Sequence, residues 1–197
     1  MGSRLFAAMM LAGLMSSASA LAGPQFTSVY ERFNLKNDCP VVEQGERRST
    51  FRCPLKTGPE LSLIFSDHGV DVLVEPAHSD GAYFTSEGAY RDGGPYQPSR
   101  SGHFGDVFLK DGVFTIEVRR AKESGQFSPF ALIYRTTYNQ MHGDGWKLRN
   151  RLEVLKFGSD HACQIGTVEG SIPEHNKKAA QIADAAFDTN PCGDGSS

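Results

Sequence analysis

Long apolar runs are scarce in this sequence. The one extended apolar stretch, residues 5–15, is too short for a helix that crosses a membrane, which needs roughly twenty apolar residues. It lies between Arg4 and the small-x-small triplet Ala20-Leu21-Ala22, an arrangement typical of a secretory signal peptide. We therefore expect residues 1–22 to be cleaved on export, with Ala18-Ser19-Ala20 as a competing cleavage site. The mature chain is predicted to lie in the periplasm or the medium, without stable insertion in a membrane.

An excess of charge of either sign is also missing. The full chain carries a formal net charge of −3, and loss of Arg4 with the signal peptide takes it to −4. Such a small charge gives no long-range attraction toward nucleic acid or anionic lipid, so neither partner is predicted. The 175 residues that remain after cleavage are enough for one domain that buries about 70% of its unfolded surface. We expect residues 23–197 to form a single disulfide-bonded, β-rich domain.

Short motifs for metal binding and nucleophilic catalysis are absent as well. The sequence contains no CxxC, HxH or HExxH pattern and no GxSxG pattern. These are the sequence signals of zinc sites and of the hydrolase nucleophile turn. We predict no metal and no cofactor, and an enzyme is the less favoured class of protein.

Cysteine is present at four positions, Cys39, Cys53, Cys163 and Cys192. In an exported protein these residues meet an oxidising compartment, so two disulfides are expected. Four cysteines permit three pairings. We favour Cys39–Cys53 and Cys163–Cys192, because each bridge joins elements that are neighbours along the chain.

Short stretches with period-two alternation of apolar and polar residues follow one another along the chain. Their enrichment in β-branched and aromatic residues predicts strands. Asp111-Gly112 predicts a type I′ hairpin, because both residues tolerate a positive φ. The predicted strands cover residues 26–35, 47–55, 61–65, 70–74, 107–110, 113–119, 128–138, 151–157 and 162–168.

The strand over residues 113–119 alternates most cleanly. Residues 114, 116 and 118 are apolar, whereas Thr115, Glu117 and Arg119 are polar. The pattern predicts one buried face and one face in contact with solvent.

A single helix is predicted near the C-terminus. Ser171 and Glu174 have the spacing of a capping box, which indicates that the helix begins there. Its apolar stripe, residues 172, 179, 182, 183 and 186, consists mostly of alanine. Strands followed by one helix indicate a mainly β fold, an antiparallel β-sandwich or barrel with a C-terminal α-helix packed on it.

The C-terminal third carries a recognisable pattern. It consists of Cys163-Gln164-Ile165-Gly166-Thr167-Val168, then Asn176, Ala179, Ile182-Ala183-Asp184 and Cys192. In these positions the chain resembles a family of small uncharacterised secreted proteins of alphaproteobacteria. The resemblance implies a shared fold and the Cys163–Cys192 bridge. It implies no activity, so it assigns no catalytic residue.

Residues 81–105 form a long segment without regular periodicity, in which aromatic residues are interleaved with glycine, serine and proline. Long segments of this kind are often functional, and the composition is typical of binding loops. The alternative is an ordinary connection whose tyrosines cover the sheet. If the segment binds a ligand, the candidate residues are Tyr83, Tyr90, Arg91, Tyr96, Arg100 and His103.

A histidine also stands between two carboxylates, His68 between Asp67 and Asp71. Such an imidazole can act as a general base. Neither Ser62 nor Ser66 has the setting of a nucleophile, however, and a turn histidine is the simpler interpretation.

The sequence therefore favours an exported, non-enzymatic envelope protein. Its predicted partner is an unknown envelope or extracellular protein or a small ligand, bound through residues 81–105. One alternative is a small secreted hydrolase whose site is assembled from scattered residues such as His68, Asp71 and His103. The other is a purely structural or stress-related role.

Overall fold

Antiparallel strands make up most of the structure, with one longer helix near the C-terminus. The computed structural model describes residues 23–57, 59–66, 69–75, 82–85, 88–91, 106–107, 109–142, 145–158 and 162–189. Its strands are β1 Phe26–Asn34, β2 Val41–Gln44, β3 Arg48–Pro54, β4 Glu60–Ser66, β5 Gly69–Glu75, β6 Ala82–Thr85, β7 Gly88–Arg91, β8 Asp106–Val107, β9 Leu109–Lys110, β10 Val113–Glu123, β11 Gln126–His142, β12 Gly145–Phe157 and β13 Ala162–Glu169. Its helices are α1 Leu35–Asp38 and α2 His175–Ala185.

The strands form three sheets. The first has seven strands, in the order β1-β10-β11-β12-β13, with β9 added to β10 and β8 added to β11. The second has the order β2-β3-β4-β5, and β6 pairs with β7 in a separate hairpin. Every pair is antiparallel. The predicted mainly β, antiparallel fold with a C-terminal helix is confirmed.

Each predicted strand corresponds to strands of the structure, with differences at the ends. The predicted strand over residues 107–110 is divided into β8 and β9, and β11 and β12 extend well beyond their predicted limits. Strands β2, β6 and β7 were not predicted. Strand β2 is exposed at all four residues, so burial imposes no alternation on its sequence.

Two tight turns connect the central strands. Asp111 and Gly112 have φ values of 55° and 75°, which confirms the predicted type I′ geometry between β9 and β10. Ser124 and Gly125 have φ values of 48° and 88° and join β10 to β11 in the same way. These two turns connect β10 to its pairing partners β9 and β11.

One face of the seven-stranded sheet shares a hydrophobic core with the four-stranded sheet. Burial of each large apolar side chain in such a core contributes roughly 1.5–3 kcal/mol. The first sheet supplies Phe33, Phe114, Ile116, Val118, Leu132, Tyr134, Leu155, Phe157 and Ala162, and the second supplies Cys53, Leu61, Leu63, Val72 and Val74.

The Cys39–Cys53 disulfide lies within this core, and its prediction is confirmed. It closes a 14-residue separation, for which the loop-entropy model gives about 3 kcal/mol. Cys163 has no free thiol. Cys192 lies outside the described residues, so the Cys163–Cys192 pairing stays a prediction.

The opposite face of the seven-stranded sheet is covered by α2. Ala179 and Ala183 of the helix are fully buried among apolar residues of β10 to β13. A Cβ atom at Gly166 would lie only 3.0 Å from Cγ2 of Ile182. The glycine therefore lets the helix approach β13 closely. Of the predicted apolar stripe, residues 179, 182 and 183 lie in α2 and pack in this cluster, whereas residues 172 and 186 lie outside the helix.

The predicted solvent-facing side of residues 113–119 was wrong at two positions. Glu117 and Arg119 are only 7% and 8% exposed. Alternation correctly separates the two faces of β10, but it cannot show that α2 folds back over the polar face. The sheet is therefore covered on both sides at this strand.

An ion pair between the buried Arg119 and the partly buried Asp184 fixes the last turn of α2 to β10. Arg119 Nη2 lies 2.5 Å from Asp184 Oδ1 and 2.6 Å from Asp184 Oδ2, and Arg119 Nη1 donates to Ser28 Oγ at 2.6 Å. The Ser28 hydroxyl in turn donates to the Glu117 carboxylate. Tyr30 also donates to Glu117, at 3.1 Å, so the buried carboxylate is well hydrogen-bonded.

The end of α2 is held by a lysine from β12. Lys156 Nζ donates to the carbonyl oxygens of Ala186 at 2.6 Å and Phe187 at 2.8 Å, and also to that of Thr189. These carbonyls follow the last residue of α2, at the negative end of the helix dipole, where an ammonium group is stabilising. Burial lowers the pKa of Lys156, and the negative charge of Asp188 opposes that shift.

The helix begins differently from the prediction. The first residue of α2 is His175, and the preceding Glu174 has a left-handed conformation with φ 56° and no side-chain cap. A turn closed by the Ile172 amide and the Glu169 carbonyl occupies the residues that the capping box requires. The Ser171–Glu174 capping box is therefore wrong.

The Arg119–Asp184 pair gives a direct test of how α2 is held. Asp184→Ala removes the closer carboxylate of the buried Arg119 guanidinium and leaves Glu117, whose Oε1 lies 3.9 Å from Nη1. We expect a loss of about 1.5–3 kcal/mol in the free energy of unfolding, the range for hydrogen bonds to charged groups. Urea denaturation of the oxidised protein measures it. Lys177→Ala removes a pair with Glu174 whose side chains are 66% and 67% exposed, and should change stability by less than about 0.5 kcal/mol. Equal losses of unfolding free energy in Asp184→Ala and Lys177→Ala would contradict the conclusion that the Arg119–Asp184 pair holds α2 on the sheet.

Candidate binding surface

The face of the seven-stranded sheet that contributes to the shared core becomes polar toward one end. Along β11, Tyr134 is followed on the same face by Thr136 and Tyr138, because alternate residues of a strand share a face. Along β12, Leu155 is preceded in the same way by Glu153 and Arg151. We call this region the polar patch, and it consists of Thr136, Tyr138, Arg151, Glu153, Gln164 and Glu169.

A buried carboxylate organises the polar patch. Glu153 is 3% exposed and accepts hydrogen bonds from Thr136 Oγ1 at 3.0 Å, Arg151 Nε at 2.5 Å and Gln164 Nε2 at 2.6 Å. Charge-assisted bonds of this kind are among the stronger hydrogen bonds in proteins. Glu153 thus fixes one side chain from each of β11, β12 and β13.

Tyr138 forms the outer part of the polar patch. Its hydroxyl donates to Glu169 Oε2 at 2.6 Å, and the Arg151 guanidinium carbon lies 5.2 Å from the centre of its ring. Burial, the hydrogen bond to Glu169 and the charge of Glu169 raise the pKa of Tyr138, whereas Arg151 and Arg149 oppose the shift. The phenol is therefore held as a neutral donor.

The predicted binding segment approaches this region at both of its ends. Strands β6 and β7 form a hairpin that contacts β5 and β13, and β8 pairs with Thr136 and Thr137 of β11. In the first sheet β12 lies between β11 and β13. The connection from β7 to β8 thus begins beside one flank of the polar patch and ends beside the other.

Part of the segment 81–105 is regular, contrary to the sequence prediction. Tyr83 pairs with Tyr90, and Ala82 pairs with Arg91, in the register of the β6–β7 hairpin. Of the six predicted binding residues, Tyr83, Tyr90 and Arg91 lie in this hairpin. Tyr96, Arg100 and His103 lie outside the described residues.

A projecting arm adjoins the polar patch. Strands β11 and β12 stay paired from Tyr138↔Arg149 to His142↔Gly145. In the described residues β10 pairs with β11 only as far as Tyr134, and β13 pairs with β12 only from Arg151 onward. Leu148, within this arm, is 70% exposed. The arm therefore presents both apolar and polar surface to the surroundings.

The residues proposed for the hydrolase alternative are only partly placed. Asp71 lies in β5, whereas His68 and His103 lie outside the described residues. Among the residues that the structure describes, no three His, Cys, Asp or Glu residues form a group that could hold a metal ion. No helix in the same residues is long and apolar enough to cross a membrane.

Sequence reasoning missed most of the polar patch. It predicted the strands that carry Thr136, Arg151 and Glu153, but named none of these residues as part of a site. The usable signal was the polar residue Glu153 between the apolar residues Leu152 and Val154. Its burial depends on neighbouring strands, which a single-strand pattern does not contain.

Comparison with known proteins adds no assignment. No protein-family model matches the chain, and no curated protein or solved structure is significantly similar to it.

The tyrosine at the edge of the polar patch predicts an alkaline instability. A raised pKa means that the folded state holds the phenol proton more tightly than the unfolded state, whose pKa is near 10.0. The stabilisation is therefore complete below about pH 10 and is lost as the pH rises through the folded-state pKa. Tyr138→Phe should reduce the slope of unfolding free energy against pH in this range.

Tyr30 provides the internal reference for that measurement. Burial and Glu117 raise its pKa too, so part of the alkaline slope should remain in Tyr138→Phe and decrease further when Tyr30→Phe is added. Denaturant titrations at a series of alkaline pH values measure the slopes. A slope that is the same in the wild type and both variants contradicts the assigned contacts.

Proposed function

We propose that the protein is an exported, non-enzymatic binding protein of the cell envelope. Its binding surface consists of segment 81–105 and the polar patch of β11, β12 and β13. The observation that carries this proposal is the anchoring of β7 beside β13 and of β8 on β11. Strands β11 and β13 lie on either side of β12, which supplies Arg151 and Glu153.

The chemistry of the surface supports binding more than catalysis. Glu153 is saturated by three donors, so it is poorly suited to accept a proton from a substrate. Tyr138 and Arg151 are partly exposed and stack on one another. Aromatic rings with adaptable hydrogen-bonding neighbours provide contact area at low entropic cost, and segment 81–105 adds further tyrosines.

The proposed location rests on the sequence and on one bridge. Residues 1–22 serve as a signal peptide, and the mature chain works in the periplasm or the medium. The Cys39–Cys53 disulfide is compatible with an oxidising compartment. The proposal includes a second bridge, Cys163–Cys192, a β-sandwich with α2 on its outer face, and membership of the alphaproteobacterial family that the C-terminal pattern resembles.

Loss of the segment's tyrosines tests the proposal. Mature wild-type protein, Tyr90→Ala/Tyr96→Ala and Tyr30→Ala are immobilised and exposed to envelope extract, and bound proteins and glycans are quantified by mass spectrometry. Partners of the wild type should fall roughly tenfold or more with the double variant, as expected for aromatic contact residues. Tyr30→Ala is the matched control, because Tyr30 is exposed on β1, at the opposite edge of the first sheet.

Unchanged recovery by the folded double variant would overturn the use of segment 81–105. A second assay addresses the hydrolase alternative. Wild type and His68→Ala are incubated with chromogenic ester, amide and phosphoester substrates. Turnover that the wild type shows and His68→Ala lacks would replace the binding proposal with an enzymatic one.

A further inference from the structure

The first residue of α2 is a histidine whose protonation state is defined by its neighbours. Arg135 Nη2 lies 3.1 Å from His175 Nε2, and His175 Nδ1 lies 3.2 Å from the carbonyl oxygen of Ile172. A guanidinium group only donates hydrogen bonds, so Nε2 must accept and carry no proton. Nδ1 then carries the proton and donates to Ile172. The geometry therefore requires a neutral imidazole in a single tautomer.

This histidine fastens the turn before α2 to the two central strands. Arg135 on β11 also donates to Asn150 Oδ1 on β12, and the Asn150 carbonyl accepts from the Gly170 amide at 2.8 Å. A Cβ atom at Gly170 would lie 2.9 Å from that carbonyl oxygen, so glycine permits the contact. The turn is thus held at Gly170 and again at His175.

The other charged groups near α2 have partners of their own, which leaves Arg135 as the charged partner of His175 among the described residues. On the sheet face under α2, Arg119 pairs with Asp184, and Lys156 binds the carbonyls after the helix. Next to His175 in the chain, Glu174 and Lys177 pair with each other at 3.6 Å, and Lys178 is exposed. Glu169 of β13 hydrogen-bonds Tyr138 on the opposite face of the sheet.

We propose that His175 is an acid-sensitive latch, whose protonation releases the first turn of α2 from Arg135. An imidazolium has no acceptor, so the Arg135 contact is lost and two cations face each other. Ala179 and Ala183 are fully buried, Arg119 binds Asp184 in the last turn of α2, and Lys156 binds the carbonyls that follow. The release is therefore confined to residues near 170–178.

Hydrogen exchange on the full oxidised chain tests the latch. Exchange is measured between about pH 8 and about pH 5, the range in which histidine changes charge, and corrected for intrinsic rates. The Lys178 amide, which bonds the Glu174 carbonyl at 3.0 Å, should lose protection at least about tenfold at the acidic end, as in local unfolding. The amides of Ile116 and Val118 in β10 should keep their protection from exchange over the same pH range.

Two variants distinguish the latch from general acid sensitivity. His175→Gln keeps a neutral acceptor, and Arg135→Met removes the opposing cation, so each should abolish the pH dependence at Lys178. Nitrogen NMR of the imidazole should show the Nδ1–H tautomer at about pH 8. Protection at Lys178 that does not change with pH in the wild type, or an Nε2–H tautomer, would overturn the proposal.

Discussion

Cationic side chains on one face of a β-sheet hold the C-terminal helix in place, and the rest of the structure depends on this arrangement. The buried residues of α2 are Ala179 and Ala183, which remove little apolar surface from water compared with leucine or phenylalanine. Three polar contacts supplement that small gain. Arg135 contacts the first residue, Arg119 binds Asp184 in the last turn, and Lys156 binds the carbonyls that follow the helix.

Covering both faces of the seven-stranded sheet separates two kinds of chemistry. On one side the sheet meets the four-stranded sheet in an apolar core that includes the Cys39–Cys53 bridge. Beyond that core the same face becomes the polar patch around Glu153. On the other side the sheet presents arginine and lysine to α2. The strands are thereby rigid where segment 81–105 is attached, and rigid strands position binding loops well.

Much of the fold was predictable from local patterns. Alternation located the strands, and Asp111-Gly112 identified a turn whose geometry requires two positive φ values. The pairing of Cys39 with Cys53 followed from their nearness in the chain. The burial of Glu117 and Arg119 was not predictable, because it results from a helix about sixty residues further along the sequence. The capping box failed because a turn at Glu169–Ile172 competes for the same residues.

The candidate site was less accessible to sequence reasoning than the fold. Composition indicated segment 81–105, and the structure places its strands β6 and β7 beside β13 and the next strand, β8, on β11. The polar patch arises only when β11, β12 and β13 are aligned in register, so that Thr136, Glu153 and Gln164 meet. Such convergence depends on strand order and on the bulge in β13 opposite Val154 and Leu155. The sequence of a single strand contains no information on the strand order or on the bulge.

The most direct measurement of how α2 is held is the reactivity of its lysine contact. Lys156 is engaged by three carbonyls, whereas Lys147 and Lys177 are exposed. Amine-specific labelling of the native protein, followed by peptide mass spectrometry, should modify Lys156 at least about tenfold more slowly than these two, as expected for a group that reacts only after local opening. Labelling of Lys156 at the same rate as Lys147 would contradict the claim that Lys156 holds the end of α2 on the sheet.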